Sequence, residues 1–154
     1  MAIEKYNSEV KRIQYNQELV FNALSNLKNL EQLFDPQKLA ELKERFPDAP
    51  DIKVEEFRAT EDECTFKIQP LGTVGLHIVE KEPFKTIKYE GCESVPFKLY
   101  FWVQLLPSGD ESCFCKLTLH ADLNIMIKMV VGKYLEDGIN KIADAVTKIP
   151  FDRV

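Results

Sequence analysis

Two hydrophobic periods divide the chain. At the N-terminal side, Ile3 to Ile13 reads as extended, and the pattern turns helical at Asn16. Asn16 is a suitable N-cap, and Glu18 suits the positive end of a helix dipole. Val20, Leu24 and Leu27 then recur at spacings of four and three, with Phe21 beside them. Leu30, Leu33 and Phe34 carry the apolar surface through a short second turn or helix. Asp35-Pro36 restarts a third, an Asp N-cap with Pro at the first helical position. Leu39, Leu42 and Phe46 follow at helical spacing, and Pro47 and Pro50 end it.

From Ile52 to Leu123 the period is two. Strands are predicted from Ile52 towards Ala59, around Cys64, Phe66 and Ile68, around Val74, Leu76 and Ile78, and at Ile87 and Tyr89. Phe97, Leu99, Phe101, Val103 and Leu105 form the longest alternating run. Pro107-Ser108-Gly109-Asp110 turns the chain, and Cys113, Cys115, Leu117, Leu119 and Ala121 answer. Short turns between successive strands predict an antiparallel meander. Asn124 then caps a long helix whose apolar positions run from Met126 to Ile149, closed by Pro150. Gly132 and Gly138 lie inside it, marking a bend or a close approach. The expected architecture is one α+β domain, residues 1–154: seven mainly antiparallel strands around a long C-terminal helix, with short helices after the first strand.

This order resembles the START-like or SRPBCC superfamily with its helix-grip fold. Val10-Lys11-Arg12-Ile13 leads to Glu18-Leu19-Val20-Phe21-Asn22-Ala23-Leu24-Ser25-Asn26-Leu27. That run is similar to the family's "E-x-V-F-x-x-L-S-D-L" helix, with Asn26 in place of the usual Asp. The matching residues are structural and carry no chemistry. The resemblance implies a curved sheet wrapped about the last helix, with an apolar pocket between them. Members bind lipids, sterols, hormones or polyketides, and some act as cyclases or dehydratases; fold does not choose among these.

The inward stripe holds Phe66, Ile68, Leu76, Ile78, Tyr89, Phe97, Leu99, Phe101 and Val103, and Met126, Met129 and Val130 of the helix join it as candidate ligand contacts. Taken alone, such a stripe favours a filled core; the resemblance favours a cavity. Tyr89 offers a polar handle, or a hydroxyl spent on the backbone. His77, His120 and Asp122 fall out of phase with the apolar face and should point outwards, away from any inner substrate. Tyr100, Trp102 and Phe114 share that outer face, as a dimer patch or as cross-strand pairs. A hairpin centred near Gly109 would set Trp102 near Lys116 and Phe114 near Gln104.

Composition narrows the classes. A net charge of −5, with 20 basic and 25 acidic residues, argues against a nucleic acid as partner. No apolar run approaches the roughly 18 residues needed to span a bilayer, and the N-terminus lacks an export signal, so a cytoplasmic location without membrane insertion is expected. Cys64, Cys92, Cys113 and Cys115 are then reduced thiols. With only two histidines, no Rieske spacing and no phosphate loop, neither metal nor cofactor is expected. Binding of an apolar or amphipathic small molecule is the leading reading. A polyketide cyclase or dehydratase-like enzyme and a protein-interaction module, including a homodimer, are the alternatives.

Overall fold

The structure, a computed structural model, describes residues 2–33, 36–45, 47, 55–68, 72–92, 95 and 97–153, with backbone alone at 2, 32, 33, 36, 38, 39, 42 and 153. Strands β1 (Ala2–Asn7) and β2 (Lys11–Ile13) precede helices α1 (Gln17–Leu24), α2 (Leu27–Leu33) and α3 (Pro36–Arg45). Then come β3 (Glu55–Ala59), β4 (Glu63–Ile68), β5 (Gly72–Glu82), β6 (Thr86–Gly91), β7 (Leu99–Pro107) and β8 (Cys113–Leu123). Helix α4 (Ile125–Val146) and a short 3-10 turn, Phe151–Arg153, complete the chain. Ile52 to Val54, Leu71 and the side chains of Leu33, Phe34, Leu39, Leu42 and Phe46 lie outside the described residues.

Of the three expected caps, Asn16 and Asn124 form, and Asp35 lies outside the described residues. Asn16 accepts from the Leu19 N–H at 2.8 Å, and Asn124 from the Ile127 N–H at 2.8 Å, satisfying donors that a helix start leaves open. The sheet runs β1-β8-β7-β6-β5-β4-β3, antiparallel throughout, with β2 also beside β8.

Among the described residues eight strands stand where the alternation predicts seven, because the first extended run breaks at Ser8. Ser8 is buried; its N–H donates to the Leu117 carbonyl at 2.9 Å, and its Oγ accepts from the Leu117 N–H at 2.9 Å. A side chain thus takes over a ladder bond. Tyr6 pairs with Leu119, whereas Lys11 pairs with Cys115, one residue out of step. That extra residue flips the facing, so Glu4 and Tyr6 point inwards on β1 while Lys11 and Ile13 do so on β2.

The last hairpin corrects a second expectation. Pro107 pairs with Cys113, so the turn spans Ser108 to Ser112, with Gly109 at a φ of +84°. Trp102 therefore faces Thr118 rather than Lys116, and Phe114 faces Leu106 rather than Gln104. The cation near the indole is Lys88 of β6, 5.3 Å from that ring and 4.8 Å from the Tyr100 ring.

Helix α4 lies along one side of the concave face, on β8, β1 and β2. Two ion pairs flank it: Lys128 to Glu4 and Lys11 to Asp144, each at 2.8 Å. Helix α1 crosses β6 and β7, and the Phe151 turn packs against α1, its ring 5.7 Å from Tyr15 and edge-on. Around that corner Ile13, Val20, Ile87, Leu105, Cys113, Leu117 and Phe151 are all less than 2% exposed. This is the sealed end of the core.

Candidate functional site

Away from that corner the same concave face changes character. Phe66 and Ile68 on β4, and Leu76 and Ile78 on β5, are inward by register yet only half-buried. Phe101 on β7 is half-buried too, as are Ile127 and Leu135 of α4. The reason is geometric. With α4 seated on β8, β1 and β2, the helix does not press these side chains as it presses Leu117. Gly91 sits in the floor of this region, opposite Leu76, where a Cβ would come 3.0 Å from the Leu99 Cβ. The absent side chain lets the Leu99 strand approach.

The predicted ligand contacts divide into three groups. Phe66, Ile68, Leu76, Ile78 and Phe101 gather on the open part of the concave face, with Phe97 half-buried nearby in the chain leading to β7. Tyr89, Leu99 and Val103 lie beneath as buried floor. Met126, Met129 and Val130 stand 78%, 82% and 64% exposed, on the outward side of α4 together with Ile125 and Tyr134. Helical spacing marked these residues as apolar but not which apolar side meets the sheet. Val131, Ile139, Ala143 and Val146 are the residues that α4 buries.

Tyr89 does not offer its hydroxyl inwards. It donates to the Leu24 carbonyl at 2.8 Å, tying β6 to the end of α1, and burial pushes its pKa far up. Sequence reasoning missed Tyr6. The β1 register turns it inwards beside Gly132 of α4, where a Cβ would meet the Tyr6 hydroxyl at 3.6 Å. Burial first, and then the Glu4 charge, raise its pKa, so the phenol stays protonated. The signal was present in the alternation of Glu4 and Tyr6, but the break at Ser8 hides its phase.

The outer face carries its own cluster. Lys88, Tyr100, Trp102, His120 and Asp122 line a groove of about 410 Å³, with the Trp102 and His120 rings 4.6 Å apart and edge-on. His120 is held below the ordinary imidazole range by burial, then by Lys5 and Lys88. Phe114 does not join this group; it lies opposite Arg12 and Leu106 at the other end of β8. Among the described residues no group of three or more His, Cys, Asp or Glu side chains is placed to hold a metal ion, and no helix is long and apolar enough to cross a membrane.

No protein-family model matches the sequence, and no curated protein matches it. Solved structures do match in shape. Norcoclaurine synthase from Thalictrum flavum, in complex with dopamine and hydroxybenzaldehyde, is 13% identical, covers 99% of this chain and 89% of its own, and superposes with a TM-score of 0.63. A START superfamily protein from Mycobacterium smegmatis is 11% identical, with coverages of 94% and 96% and a TM-score of 0.57. The Zhui aromatase/cyclase from Streptomyces sp. R1128 is 14% identical, with coverages of 96% and 86% and a TM-score of 0.55. At such identities the likeness is one of architecture alone: a curved antiparallel sheet with a long C-terminal helix, the helix-grip arrangement.

Proposed function

We propose that the protein binds an apolar or amphipathic small molecule between the open part of the concave face and α4. The observation that carries this reading is the run of inward yet half-buried apolar side chains: Phe66, Ile68, Leu76, Ile78 and Phe101. A folded chain gains by burying such surface, at roughly 25 cal/mol per Å². Leaving it accessible on a concave face suits a guest that completes the burial. The Tyr6 phenol and the Glu4–Lys128 pair would meet a polar group of that guest at the α4 edge. A structure of similar shape holding dopamine and hydroxybenzaldehyde supports an aromatic occupant as one class to test.

A cyclase or dehydratase reading would call for ionisable groups over the guest. Glu4 and Lys11, inward on the two short strands, are engaged with Lys128 and Asp144 of α4. Binding without chemistry is therefore the preferred form of the proposal.

Native mass spectrometry of gently purified protein, followed by denaturation, tests it. A stoichiometric apolar passenger is the expected result. If the protein is bare, and a thermal-shift screen of fatty acids, sterols and aromatic polyketides gives no stabilisation, the reading fails.

A further inference from the structure

The β5–β6 hairpin places three chemically distinct side chains together on the convex face. Its register pairs His77 with Glu90, and Leu76 with Gly91. Cys92 follows directly, fixed by its N–H bond to the Gly75 carbonyl at 2.8 Å. Its sulfur lies 3.4 Å from Nδ1 of His77. The other ring nitrogen, Nε2, lies 3.9 Å from a Glu90 carboxylate oxygen. Thiol, imidazole and carboxylate thus stand in the order of nucleophile, base and positioning group.

A depression of about 340 Å³ adjoins Cys92. Cys92 and Glu90 line it together with Val95, Phe97, Leu99 and Lys98. The other three thiols differ in kind. Cys64, Cys113 and Cys115 are buried, and desolvation pushes them up to about 11, 11 and 12, which leaves them inert. Cys92 is the half-buried one.

We infer that Cys92, with His77 as base and Glu90 as positioning residue, is a nucleophilic thiol site that adds soft carbon electrophiles of the α,β-unsaturated carbonyl class. His77 takes the thiol proton, and the sulfur bonds to the β-carbon. The C=C π pair moves towards the carbonyl oxygen, and the imidazolium returns the proton to the enolate. One S–C bond forms, one π bond is lost, and nothing leaves. Such an addition uses what the site holds: a thiol, a base that can return its proton, and an apolar wall. Among the described residues, the charged or titratable groups near the thiol include His77 on β5, Glu90 on β6, Glu63 of β4 opposite His77, and Lys98 in the lining.

The test is the alkylation rate of each cysteine in the intact chain by iodoacetamide, from about pH 5 to 10, read by peptide mass mapping. Cys92 should react first, with an apparent pKa at least about one unit below the free-thiol value of roughly 8.5. His77→Ala should return it to that value and slow the reaction at neutral pH by about tenfold. Glu90→Gln should give an intermediate profile with an unchanged unfolding midpoint, which a purely structural role would not do. Cyclohexenone should then add once, with saturating kinetics, and not at all to Cys92→Ser. If Cys92 titrates as a free thiol in both the parent chain and His77→Gln, no activation exists and the proposal falls. Enone addition no faster than to glutathione, and without saturation, overturns the substrate class.

Discussion

Leu117 and Leu76 both sit on the concave face of one sheet, three strands apart, in runs of similar alternation. Leu117 is wholly buried and Leu76 is half-buried. The difference lies in what covers them. Around Leu117 the two ends of the chain converge: α1, the Phe151 turn and the second half of α4 close over β6, β7 and β8. Around Leu76 the sheet curves away from α4, which rests on β8, β1 and β2. One end of the face is built for stability, and the other keeps apolar surface within reach of a guest.

Truncation should separate the two ends most sharply. Leu117→Ala removes a fully packed side chain and should lower the unfolding free energy by about 2–5 kcal/mol. Leu76→Ala should cost less than half as much in the same urea titration, since less of its surface is buried. Equal losses would erase the distinction between the ends.

Gly91→Ala probes the floor beneath the open end. Its new Cβ would meet the Leu99 Cβ at 3.0 Å, so the strands must shift, at about 1–3 kcal/mol. A thermal melt showing no loss would mean that the close approach is easily relaxed. Gly138→Ala has the opposite sign. No heavy atom lies within 4 Å of the added Cβ, and helix propensity alone should stabilise α4 by about 0.5–1 kcal/mol.

The smallest expected effect concerns pH. His120 has a folded pKa below its ordinary 6.5, chiefly through burial. The unfolded chain therefore binds the proton more readily, so His120 favours the fold fully above about pH 6.5 and less as the pH falls through the folded value. His120→Gln should flatten that part of the stability profile in chemical denaturation across mildly acidic pH. An unchanged slope would remove His120 from the account.

Much of this fold was legible in the residue pattern. Asn16 and Asn124 marked their helix starts, and the alternation from Cys64 to Ala121 gave the sheet its inner and outer faces. What escaped were offsets of a single residue. Ser8 reverses the phase between Tyr6 and Lys11, and so hid Tyr6 as an inward phenol. The five-residue turn Ser108–Ser112 moved Trp102 from Lys116 to Thr118. Periodicity reports which residues share a face, whereas register depends on turn length and on side chains that replace ladder bonds. The same limit applies to α4, where a broad apolar circumference gave no sign that Met126, Met129 and Val130 turn outwards. The Cys92–His77 contact, too, arises from strand pairing and has no linear motif.

The open end is tested most directly by filling it. Leu76→Trp should occupy the space between β5 and α4, with Met129→Lys as a control on the exposed side of the helix. The measurement is a titration with the apolar dye 1-anilinonaphthalene-8-sulfonate, followed by emission, on proteins of matched stability. Saturable binding to the parent chain and to Met129→Lys is expected, with its loss in Leu76→Trp. Undiminished binding to Leu76→Trp, or its loss in Met129→Lys alone, would contradict that expectation.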